Sequence, residues 1–206
     1  MGVTDFKTAA ILVGGKSTRM GLDKKNLVLG EEGLLQSIVH QLSPLFEDII
    51  ALGCPREAVA PVTGIRAFYP DALATAASLT GIYTGLCHTE SRYLYVTACD
   101  MPHYNPRYIR YMMSRLKEDP TSGCVTRYQE WIEPFNAFYS PALLPTMEAF
   151  LNSRRKSIFK YLEGESITYI PEATARRFSP NWEMFCNLNT PRDLATHLGG
   201  PHDHLS

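Results

Sequence analysis

Apolar positions along this chain switch between two periods, one of strands and one of helices. Residues 9–13 form a short apolar run that Gly14 ends, which predicts a strand. Over 33–46, Leu34, Leu35, Ile38, Leu42 and Leu45 recur at helical spacing. "DIIALG" at 48–53 and "RAFYPD" at 66–71 read as two further strands, and a second helix is expected over about 80–88. "RYLYVTACDMP" is apolar on both alternations from Tyr93 to Cys99, as a central parallel strand covered on two faces should be, and it ends in Asp100. Ile109, Met112, Met113 and Leu116 then resume helical period, with Pro106 tolerated in the first turn. Strands alternating with helices of this length predict an α/β fold around a parallel, sandwiched sheet.

The later segment is less regular. It offers strand-like "GCVTR" and "PFNAFYS", helices around "ALLPTMEAFLN" and "SIFKYLEG", and then "SITYIP". There is no internal repeat. One domain is expected over 1–198, with "GGPHDHLS" at 199–206 as a frayed tail.

Composition agrees with that reading. A chain of 206 residues, 45% apolar and 20% charged, is long enough for one domain with a real core. With 20 Lys and Arg against 21 Asp and Glu, the net charge of −1 provides no general field for nucleic acid or an anionic membrane. Any cationic site must be local. The five cysteines stand far apart without C-x-x-C spacing, so no zinc site is expected, and the thiols should be reduced and mostly buried. No segment reaches the roughly 18 to 20 apolar residues of a membrane span, and the start lacks a cleavable leader. The expectation is a cytoplasmic protein. His40 and His88, both on helical segments, should be packing or surface residues.

The first strand runs into "GGKSTRMGLDKK", where Lys16, Arg19, Lys24 and Lys25 fall within ten residues. In an open parallel sheet, ligands sit beyond the carboxyl ends of strands. A glycine pair there lets backbone N–H groups approach an anion with no Cβ in the way. The stretch matches neither G-x-G-x-x-G nor G-x-x-x-x-G-K-[ST]. A phosphate cradle and a glycine turn followed by solvated charge both fit these features alone. Asp100, at the mouth of its strand, could hold Mg²⁺, which binds through one or two carboxylates plus substrate phosphates. It could instead cap the helix that begins near Asn105, although the spacing is awkward. Asp71 reads equally as a ligand contact or a turn residue. Asn187 and Asn189 offer amide donors and acceptors just before Thr190 and Pro191, a helix-start pair. Arg154, Arg155 and Lys156 read first as solvated surface charge.

Residues 12–24, L-V-G-G-K-S-T-R-M-G-L-D-K, resemble the signature L-x-G-G-x-S-x-R-M-G-x-D-K of the molybdenum cofactor guanylyltransferases, within the larger nucleotidyltransferase superfamily. "CDMP" at 99–102 is similar to that family's metal-binding C-D-x-P block, and "FCNLNTPRDL" at 185–194 to its F-x-N-x-N-T-P-x-[DE]-L. The resemblance spans roughly residues 8–196. It implies a single-domain, Rossmann-like three-layer sandwich with a mostly parallel central sheet, of the nucleotide-diphospho-sugar transferase type. It implies transfer of GMP from GTP to molybdenum-molybdopterin with release of pyrophosphate, Mg²⁺ as cofactor, and molybdoenzymes or their chaperones as recipients of the product.

By the same resemblance Arg19, Lys24 and Asp100 are the catalytic residues, and Asp100 is the metal ligand. Leu12, Val13, Gly14, Gly15, Asp71 and Gly81 join Lys24 and Asp100 in binding the nucleotide, and Arg154, Asn187 and Asn189 lie on the pterin side. The "VGG" favours GTP, since relatives that use CTP more often show Ala-Ala-Gly. Two departures bear on the base: 77–81 lacks the family's Gly-Pro pair, and "ALGCP" at 51–55 lacks an asparagine. The alternatives are a CTP-using molybdopterin cytidylyltransferase, a nucleotidyltransferase acting on a sugar or alditol phosphate, and a non-catalytic nucleotide-binding module.

Overall fold

The apolar runs become the middle of a single sheet. The computed structural model describes residues 4–13, 33–59, 61–72, 78–153 and 157–188. The strands are β1 (Thr8–Leu12), β2 (Asp48–Leu52), β3 (Ala67–Tyr69), β4 (Leu94–Ala98), β5 (Gly123–Tyr128), β6 (Trp131–Tyr139) and β7 (Ile167–Ile170). The helices are α1 (Leu34–Leu42), α2 (Ser78–His88), α3 (Pro106–Glu118), α4 (Leu144–Asn152), α5 (Ile158–Leu162) and α6 (Glu172–Ala175). Strand order is β3-β2-β1-β4-β6-β5-β7, so β4 is central, as its two-sided apolar run predicts.

Period 2 divides β1 between two cores. Ala9, Ile11 and Val13 face Leu34, Ile38 and Leu42 of α1 and Ile109, Met112 and Leu116 of α3. Ala10 and Leu12 face Leu79, Ile82 and Leu86 of α2, a layer that α4 continues with Met147 and Leu151. The expected three-layer sandwich results. Helix α2 lies close to the sheet because it presents glycine there. A Cβ on Gly81 would stand 2.6 Å from Leu12 Cδ2, and one on Gly85 2.7 Å from Leu94 Cδ2.

Differences from the sequence reading have local causes. Strand β1 starts one residue early because Thr8 is fully buried: its hydroxyl donates to Asp48 Oδ2 at 3.2 Å and lies 3.0 Å from Ser91 Oγ. Helix α1 stops at Leu42 because Pro44 has no N–H for the His40 carbonyl, which takes the Ser43 hydroxyl instead at 3.3 Å. The sheet is mostly parallel, as expected, with one strand reversed. "PFNAFYS" belongs to β6, antiparallel to both β4 and β5, and β5 and β6 form a hairpin joined by Gln129 and Glu130. Gln129 takes φ 51° there without the Asn-Gly or Asp-Gly pair that would have marked the turn.

The cysteines also need correcting. All five are free thiols, but only Cys54 and Cys124 are buried, while Cys87 and Cys186 are exposed. His40 and His88 both lie at the surface, the latter stacked on Tyr69 at 3.7 Å between ring centroids. Among the described residues no helix is long and apolar enough to cross a membrane. The boundary expected at 198 and the tail at 199–206 lie outside the described residues.

Candidate active site

Four parallel strands finish level. Leu12 is in register with Leu52 on one side and Ala98 on the other, and Leu52 is in register with Tyr69. Three hydrogen bonds seal this edge: Val13 N–H to the Leu52 carbonyl at 2.9 Å, Cys99 N–H to the Leu12 carbonyl at 2.9 Å, and Gly53 N–H to the Tyr69 carbonyl at 2.8 Å. Asp71 and Asp100 each stand two residues beyond their level strand ends. From β1 the chain leads one way, through α1 to β2, and it returns on the other side as β4. The reversal between β1 and β4 is the switch point at which open α/β sheets bind ligands. Asp100 follows β4, and "GGKSTRMGLDK" follows β1.

Asp100 is half-buried, and burial pushes its carboxyl up from the usual value, against a smaller opposing effect from its own backbone N–H. It does not cap α3. Asn105 does, with Oδ1 accepting from Arg107 N–H at 3.0 Å and Tyr108 N–H at 3.1 Å. Among the described residues no cation pairs with Asp100 within salt-bridge distance. A half-buried carboxylate suits a hard divalent ion that draws its other ligands from phosphate and water. Neighbouring elements hold the Asp100 turn on two sides: Gln41 of α1 donates to the Pro102 carbonyl at 3.1 Å, and Leu188 N–H to the Asp100 carbonyl at 2.7 Å.

Asp71 is exposed, on a segment fastened by Thr84 of α2, whose hydroxyl accepts from Ala72 N–H at 3.0 Å and donates to the Thr80 carbonyl at 2.9 Å. Three strand steps separate it from Asp100, about 14 Å at strand spacing, too far for one cation to bind both at about 2 Å. Leu12 and Val13 bury their side chains in opposite cores, and the backbone groups named above are committed to neighbouring strands. Gly81 lies in the first turns of α2 against Leu12, so packing already explains its lack of a side chain. Asn187 is exposed beside the Asp100 turn, next to Leu188. Gly14, Gly15, Arg19, Lys24, Arg154 and Asn189 lie outside the described residues. Sequence reasoning missed Thr84 and Gln41, and also Asn136, whose buried amide donates to the Met184 carbonyl near Asn187. Only Asn136 left a signal, a polar residue within the apolar run "PFNAFY".

The MobA-like NTP transferase domain matches residues 9–166. The molybdenum cofactor guanylyltransferase of Syntrophotalea carbinolica is 42% identical over 92% of this chain and 89% of its own. The probable molybdenum cofactor guanylyltransferase of Peptoclostridium acidaminophilum is 37% identical over 92% and 87%. Among solved structures, molybdopterin-guanine dinucleotide biosynthesis protein A from Archaeoglobus fulgidus shares the fold, with TM-score 0.75 at 23% identity over 93% of this chain and 96% of that one. So does the 2-C-methyl-D-erythritol 4-phosphate cytidylyltransferase of Francisella tularensis, with TM-score 0.66 at 12% identity over 94% and 98%. With the match running from β1 almost to β7 and the relatives aligned over nearly their whole lengths, the chain belongs to the MobA-like nucleotidyltransferases, in the family of the molybdenum cofactor guanylyltransferases.

Proposed function

We propose that this protein transfers GMP from GTP to molybdopterin, forming the guanine dinucleotide of the molybdenum cofactor and releasing pyrophosphate. The observation that carries the proposal is the level edge of β1 and β4, which sets the half-buried Asp100 beside the strand that runs into the glycine-rich basic stretch. The names of the relatives supply the substrates. In the reaction a terminal phosphate oxygen of the acceptor attacks the α-phosphorus of GTP, the bond to the bridging oxygen breaks, and pyrophosphate leaves with the electron pair. No nucleophilic side chain is required. Positioning and charge neutralisation carry most phosphoryl chemistry.

Asp100 would hold Mg²⁺, which when bound neutralises charge on the triphosphate oxygens. Lys24, Arg19, Gly14 and Gly15 are assigned to the triphosphate. Asp71, three strand steps from Asp100 along the same sheet edge, is assigned to the nucleoside end. Asn187, Asn189 and Arg154 are assigned to the acceptor.

Incubation with Mg-GTP and molybdenum-loaded molybdopterin should yield the dinucleotide and pyrophosphate. Turnover with CTP and none with GTP would overturn the choice of base. Pyrophosphate release with sugar or alditol phosphates, and none with molybdopterin, would overturn the acceptor.

A further inference from the structure

Strand β6 pairs with β4 through Val96 and Ala137, and with β5 through Cys124 and Phe138. Pairing with β5 resumes at Thr126 and Glu133, so residues 134–136 bulge out. Asn136 sits in this bulge at φ 52°, a left-handed conformation that asparagine tolerates better than most residues, and it is 3% exposed. Its Oδ1 accepts from the Tyr95 hydroxyl at 2.9 Å and the Thr97 hydroxyl at 3.0 Å, and the Tyr104 hydroxyl lies 3.2 Å from Thr97 Oγ1. Its Nδ2 donates to the Met184 carbonyl. Two hydroxyl donors on one side and a carbonyl on the other leave the amide one satisfied orientation.

Residues 184–188 are therefore tied at both ends, Met184 to Asn136 and Leu188 to the Asp100 carbonyl, with exposed Asn187 between them. We infer that Asn136 is a positioning residue that clamps this segment against the Asp100 turn, so that Asn187 and Asp100 are held in one register. The donors on its amide come from β4, the same strand that delivers Asp100. One buried side chain thus references both halves of the site to a single strand. The acceptor role of Asn187 rests on the proposed guanylyl transfer, whereas the clamp does not.

Asn136→Gly keeps the backbone conformation and removes the amide. In the full chain, amide exchange followed by NMR should speed up at Leu188 by about tenfold beyond any change at Ile11 in β1, which reports global opening. In steady-state assays KM for molybdopterin should rise by about fivefold, with KM for GTP within about twofold of wild type. Leu188 exchange that merely tracks Ile11 would overturn the clamp, and the two KM values rising together would overturn the acceptor role of Asn187. Should Asn136→Gly fail to fold, Thr97→Val removes one donor from the amide. It should speed Leu188 exchange by about threefold over Ile11, and unchanged exchange would overturn the inference. A wild-type protein inactive on molybdopterin would reject the proposed reaction, while the exchange measurement would still decide the clamp.

Discussion

Gly81 admits two explanations, a place for the nucleotide or a place for β1, and alanine separates them. A Cβ there would lie 2.6 Å from Leu12 Cδ2 and 3.2 Å from Leu12 Cγ. Leu12 has little room to retreat, because it is only 8% exposed and shares its face with Leu79 and Ile82, at 1% and 0%. Replacing a helical glycine by alanine gains about 0.5–1 kcal/mol in conformational terms. Overpacking a core typically costs about 1–3 kcal/mol. The second effect wins, so Gly81→Ala should lower the stability of the ligand-free protein by about 0.5–2 kcal/mol, or roughly 2–6 °C in Tm for a chain of this size. Gly85→Ala should lose more, about 2–3 kcal/mol, because its Cβ would meet Leu94 Cδ2 at 2.7 Å and Leu52 Cδ1 at 2.9 Å, on two strands that cannot both yield. Urea melts without nucleotide measure both. Were Gly81→Ala instead more stable by about 0.5 kcal/mol, the helix propensity would be acting unopposed and the packing argument would be wrong.

If Asp100 holds Mg²⁺ as proposed, Asp100→Asn should abolish at least about 99% of turnover while leaving the ligand-free fold as stable as wild type or more so. Burial raises the Asp100 carboxyl, so folding favours its protonated form. Its stabilising contribution is complete below the unfolded value near pH 4 and is lost as pH rises through the folded value. Wild type should therefore lag the Asn variant most at neutral pH, with the gap closing on acidification. Melts across pH 4–7 check this, and an Asn variant less stable at pH 7 would contradict it. Thr84→Val keeps the shape but takes the acceptor from the N–H of exposed Ala72, which should cost about 0.5–1.5 kcal/mol and raise KM for GTP more than for the acceptor. A urea midpoint equal to wild type would refute the role given to Thr84.

The amino-acid sequence by itself determined the parallel half of the sheet, from β1 to β4, and the candidate chemistry at its edge. Those signals are local: a two-sided apolar strand, a helical period, and a glycine-rich basic stretch written contiguously. Asp100 was legible because it ends a run that is apolar on both alternations, and a charge at the close of such a run marks a strand mouth. The reversal of β6 was not legible, since the Gln129-Glu130 turn carries no glycine and a strand pattern does not state its direction.

Nor could the spacing of residues reveal that Asn136, Tyr95, Thr97 and Met184 meet, because contacts across 39 to 48 residues exist only once β4 and β6 are paired. Gly81 is a nucleotide residue by resemblance, and only the fold adds that α2 packs against Leu12 there. Tertiary structure decided these matters for one physical reason. Patterning reports which face of an element is apolar, whereas a buried hydrogen bond or a missing Cβ has meaning only against the particular atoms that packing brings opposite it.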